Sequence, residues 1–112
     1  MITEILNAQV ITASGNSGPI DLSSHGSVAQ NAEISIELEI TAVSGTTPSA
    51  QFSVLWSDDG TNWASFPDDI GGAQTAVGNV IATIPVRGGL MQLAWTVTGT
   101  TPSFTVSAYS NL

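Results

Sequence analysis

The chain has 112 residues, of which 9% are charged: nine acids, a single cation at Arg87, no lysine and no cysteine. That length suits one domain with a core that needs no staples, and the missing cysteine removes disulfides, thiolate metal sites and thiol catalysis. One cation cannot neutralise a run of phosphates, which speaks against a nucleic-acid partner, and no apolar run approaches the ~20 residues of a membrane-spanning helix.

Met1-Ile2-Thr3-Glu4 lacks the basic and apolar regions of a signal peptide, so export by the general secretory route is not expected. The first 22 residues are the least patterned, with weak strands at 8–13 and 20–23 separated by the turn residues Ser14-Gly15-Asn16-Ser17-Gly18-Pro19. This stretch is expected to form an N-terminal arm or edge strand, followed by one β-sandwich domain over 23–112. Ile2, Ile5, Leu6, Val10 and Ile11 would be the side chains through which an arm reaches a neighbouring subunit. His25 stands in a Ser/Gly turn with no acid at a fixed offset, and no Gly-x-Ser-x-Gly elbow accompanies it.

The clearest strand is 33–43. Ile34, Ile36, Leu38, Ile40 and Ala42 alternate with Glu33, Ser35, Glu37, Glu39 and Thr41, a period of two that gives one buried face and one solvated acidic face. Val43-Ser44-Gly45-Thr46-Thr47-Pro48-Ser49 follows, and it returns 54 residues later as Val97-Thr98-Gly99-Thr100-Thr101-Pro102-Ser103. Gly45, Pro48, Gly99 and Pro102 between alternating runs are turn chemistry, so each copy is expected to connect a β-hairpin. Phe52, Val54 and Trp56 alternate after the first copy; Met91, Leu93 and Trp95 lead into the second; Phe104, Val106 and Ala108 follow it. Ile40 stands five residues before Gly45, whereas Trp95 stands four before Gly99. The parity requires one extra residue, a bulge near Ala42-Val43.

Trp56-Ser57-Asp58-Asp59-Gly60-Thr61-Asn62-Trp63 is the densest constellation. Asp-Gly at Asp59-Gly60 favours a tight turn, clamped by two tryptophans on one side of the sheet. The stretch looks like the Asp-box turn of sialidases, one residue short, in which the turn is structural. Trp63 could stack on a sugar ring, as could Tyr109. Asp58, Asp59, Asp68 and Asp69 are the candidates for a calcium site, since hard cations gather several carboxylate oxygens. Weaker strands are expected at 63–66, 74–77 and 80–86, with turns at Pro67-Asp68-Asp69, Gly71-Gly72, Gly78-Asn79 and Gly88-Gly89. About eight short antiparallel strands make an all-β sandwich, jelly-roll or immunoglobulin-like.

The Ile40–Trp63 stretch, with its Gly45-Thr46-Thr47-Pro48-Ser49 and Trp56–Trp63 motifs, resembles small virion proteins of tailed bacteriophages. The Trp95–Ala108 segment is similar as well, and together they cover about a third of the chain. The resemblance implies a structural, non-enzymatic role in the virion without a cofactor. A head decoration protein is the first reading and a tail or head-tail connector subunit the second. The major capsid protein or other virion subunits would be the partners, and many decoration proteins are trimers on local threefold positions of a shell. The residues themselves leave a carbohydrate-binding module open. A surface this short of charge is expected to be partly hidden in a homo-oligomer.

Overall fold

The structure is a computed structural model that describes residues 2–22 and 33–111. Its strands are β1 (Thr3–Ile11), β2 (Gly15–Asn16), β3 (Ile20–Asp21), β4 (Glu33–Ser57), β5 (Ala64–Gln74), β6 (Gly78–Pro85) and β7 (Leu90–Ser110). All pairings between them are antiparallel.

The two heptapeptides are not hairpin turns. Each lies inside a long strand, β4 or β7, and these strands pair with each other from Ile36 opposite Ser110 to Ser57 opposite Leu90. Thr46 stands opposite Thr100, so the two copies lie side by side in antiparallel orientation. Gly45 and Gly99 have φ of +111° and +117°, while Thr47 and Thr101 both have +47°. A Cβ on Gly45 would lie 2.6 Å from the Thr101 carbonyl oxygen, and one on Gly99 would lie 2.7 Å from that of Thr47. Each glycine thus sits beneath the Thr-Pro peptide of the other copy. The motif repeats because two paired strands must bend at one place, and antiparallel pairing relates their bends by a local twofold. Gly45, Pro48, Gly99 and Pro102 therefore build a corner rather than turns, with the prolines placed where the ladder is already interrupted by register shifts around Thr46.

The corner carries both strands from one layer into another, a known way for strands to switch sheets. One layer runs β6, the first half of β4, the second half of β7, then β1. The other runs β5, the second half of β4, the first half of β7, then β2 with β3. Counting the halves of β4 and β7 separately and β2 with β3 as one, each early segment pairs with a late one, as in a long hairpin rolled up. That is jelly-roll order, so the sandwich is not immunoglobulin-like. Counted in this way the segments number eight among the described residues, as the turn signals suggest, but the halves of β4 and of β7 are continuous.

The inner faces form one core. Ile36, Leu38, Phe52, Val54, Phe104 and Val106 are fully buried, Ile40, Leu93 and Trp95 nearly so, and the Phe52 and Trp95 rings meet with centroids 6.1 Å apart. Glu37 and Glu39 face outward, half-buried. The extra residue that parity demands is present as a register shift between Ile40 and Ala42. It turns Ala42 out to solvent, against the simple alternation of 33–43.

Of the two expectations for the N-terminal segment, residues 2–22 meet the edge strand: β1 lies at a sheet edge, and Leu6, Ile11 and Leu22 are buried in the core. Ile5 packs partly against that core, while Ile2 and Val10 are exposed. Ser14–Gly18 is a paired strand edge rather than a turn, because serine hydroxyls replace ladder acceptors: Val97 N–H donates to Ser14 Oγ and Leu93 N–H to Ser17 Oγ. Pro67-Asp68-Asp69 and Gly71-Gly72 are not turns either. They lie inside β5, whose pairing with β4 shifts register twice. Residues 75–77, expected in a strand, form a bend between β5 and β6.

Candidate functional site at the loop end of the sandwich

Ser57 ends β4, and the chain must reverse into β5 within six residues. Ser57 Oγ accepts the N–H groups of Asp59 and Gly60 at 3.2 and 2.9 Å and donates to Asp59 Oδ1 at 3.0 Å. Asp59 Oδ1 also accepts the backbone N–H groups of Thr61 and Asn62, and Asn62 Nδ2 donates to Oδ2, each at 2.9 Å. The Asn62 and Thr61 backbone donors, then the Asn62 amide and the Ser57 hydroxyl, hold the Asp59 carboxyl well below the usual carboxylate range. Gly60 makes the turn at φ +77°. Asp58 leaves this network and accepts Gly89 N–H at 2.9 Å, tying the loop to the start of β7.

Beneath the loop lies the ion pair of the sole cation. Arg87 Nε donates to Asp68 Oδ2 at 2.8 Å, and Trp56 Nε1 donates to the same oxygen at 3.2 Å. Asp68 is 6% exposed and the Arg87 side chain 33%. Burying a carboxylate costs stability unless it is paired and hydrogen-bonded, and here both conditions are met. This trio is invisible in the sequence. The one available signal was that a lone arginine among nine acids had many carboxylates to choose from, and spacing does not say which.

Trp56, Ser57, Asp58, Asn62, Arg87 and Gly88 surround an open cleft of about 200 Å³. Its polar side chains are the Asp58 carboxylate, the Asn62 amide and the Arg87 guanidinium, the Ser57 hydroxyl being taken up by its own loop. Trp63 is half-exposed beyond the turn, whereas Trp56 is buried, so the two tryptophans do not form one clamp. Tyr109 lies on the outer face of the β6–β1 layer, opposite Glu4 and Glu37, and shares no site with Trp63.

The structure does not bring the four calcium candidates together. Asp59 is engaged within its own loop, Asp58 holds Gly89, Asp68 holds Arg87 and Trp56, and Asp69 is exposed opposite Ser53. Among the described residues no three acids, histidines or cysteines converge as a metal site. His25 lies outside the described residues. No family model matches the chain, and no curated protein is significantly similar to it.

Proposed function

We propose that this chain is a structural protein of a tailed-phage virion, a decoration subunit that stabilises the outer shell of the head. It assembles in the host cytoplasm and acts by binding rather than by catalysis. The observation that carries this reading is the distribution of exposed apolar side chains. Ile2 and Val10 flank or lie in β1, and Val77 and Ile81 flank or lie in β6, all of them more than 60% exposed. Among the described residues β1 and β6 are the two edges of one layer, and the chain has no lysine to guard them. Such a surface suits burial against the major capsid protein and against other copies of this chain, in a trimer on local threefold positions. Binding only the assembled shell shifts the assembly equilibrium by mass action.

Co-sedimentation with empty shells of the same phage tests the reading: saturable binding supports it, and a protein left in the supernatant overturns it. The same assay on purified tails and connectors tests the alternative location. The cleft beside Asp58, Asn62 and Arg87, with Trp63 half-exposed nearby, favours a second reading as a carbohydrate-binding module. A glycan array separates the two, since specific binding lost in Trp63→Ala or Asn62→Ala supports the module.

A further inference from the structure

Strand edges expose unpaired N–H and C=O groups, and stable proteins blunt them with bulges, charges, proline or shortness. Among the described residues the two layers have four such edges, and three of them are blunted. β1 shifts register twice against β7, holds Ala8 at φ +45° and carries Glu4. β2 and β3 have two residues each. β5 shifts register twice, carries Asp68 and Asp69 and holds Gly71 and Gly72 at φ +75° and +72°.

β6 is different. Its pairing with β4 runs without a shift from Glu33 opposite Pro85 to Ile40 opposite Gly78. Gly78-Asn79-Val80-Ile81-Ala82-Thr83-Ile84-Pro85 contains no charged residue, and its only proline is the last residue. Ile81 stands 67% exposed on its outer face, and among the described residues no strand pairs the far edge. Directly behind it on β4, Glu37 is opposite Ile81 and Glu39 opposite Asn79. These carboxylates face a groove of about 290 Å³ that also includes Ile2, Ile81 and Tyr109.

We infer that β6 is an acceptor edge for an extended segment of another protein, one that alternates apolar and cationic side chains and adds a strand to this layer. Main-chain hydrogen bonds supply the pairing. An added strand lies about 10 Å from β4, two strand spacings away. A lysine laid over Ile81 spans that gap and brings its ammonium to Glu37 or Glu39, its stem covering the exposed isoleucine. Charge decides against a second copy as the occupant. This chain has no lysine, its one arginine is paired with Asp68, and two copies of net charge −8 repel.

The edge would serve a virion subunit or a binding module alike, so its test uses only the purified chain and a peptide. The probe is a capped octapeptide of alternating lysine and valine, with its glutamate-valine counterpart as control. The expected result is saturable binding of the lysine peptide, amide chemical-shift changes centred on Gly78–Pro85, and weakening as salt rises. Ile81→Lys, at an exposed position, should lower the affinity about tenfold or more by guarding the edge. The Glu37→Gln/Glu39→Gln double variant should also lose affinity and much of the salt dependence. Val10→Lys on the β1 edge should leave binding unchanged. Equal binding of both peptides, no binding of either, shifts centred on another edge, or affinity untouched by Ile81→Lys would each overturn the inference. So would a peptide-free dimer dissolved by Ile81→Lys, which would make a second copy the occupant.

Discussion

Gly45→Ala isolates the corner on which the two-layer fold depends. At φ +111° an alanine is strained by ~1–3 kcal/mol whatever surrounds it. Its Cβ would also meet three backbone atoms of the facing copy, at 2.6, 2.9 and 3.0 Å. Backbone cannot rotate aside as a side-chain end can, and such overpacking costs a further ~1–3 kcal/mol. The expected loss is ~2–6 kcal/mol, about 8–24 °C in Tm for a domain of this size. Two reference substitutions separate the contributions. Gly72 has φ +72° with nothing within 4 Å of a Cβ, so Gly72→Ala carries strain alone, ~1–2 kcal/mol. Gly78 has neither strain nor a contact, so Gly78→Ala should be neutral or stabilising by up to ~1 kcal/mol. Gly99→Ala should match Gly45→Ala, and the double variant should lose less than the sum, because the first substitution already opens the shared corner. Urea unfolding followed by tryptophan fluorescence measures all five. A Gly45→Ala loss no larger than that of Gly72→Ala would refute the close interlock of the two copies.

Trp95 packs against Phe52 and donates to the Ala13 carbonyl at 3.2 Å; Trp95→Ala should cost ~3–5 kcal/mol in the same urea assay, and a loss under ~1 kcal/mol would remove it from the core. Asp68→Ala should cost ~1–3 kcal/mol by leaving the buried Trp56 Nε1 without its acceptor and removing the ion pair to Arg87, read as a Tm shift. The Asp59 carboxyl ionises more readily folded than unfolded, so its contribution is present above the ordinary value of 3.8 and is lost as pH falls below it. Asp59→Asn should therefore lower stability at neutral pH and flatten the acid decline below about pH 4, and urea midpoints that keep a constant gap between pH 6 and pH 3 would contradict the assignment.

The core was legible because its signal is local. A period of two over 33–40 and the apolar alternation around Trp95 and Phe104 need no knowledge of distant partners. The parity mismatch between Ile40 and Trp95 even locates the bulge. The corner is not legible for a physical reason: Gly followed by Thr-Thr-Pro satisfies both a hairpin turn and a strand that breaks its ladder, and only the partner strand decides. Here the partner is the other copy, which the repeat itself announced. Ser14–Gly18 reads as loop because its ladder acceptors are hydroxyls. The Asp59 turn is legible from Ser57, Asp59 and Gly60, since each bond in it spans three residues or fewer. The Asp68–Arg87 pair joins β5 to the connection between β6 and β7 and leaves no local trace.

The decoration reading stands most directly on whether the protein stabilises a shell. Empty shells, heated with and without saturating purified protein, should disrupt at a higher temperature when it is bound, with the shift reaching a plateau at a fixed copy number per shell. Shells that disrupt at the same temperature with and without the protein would contradict it.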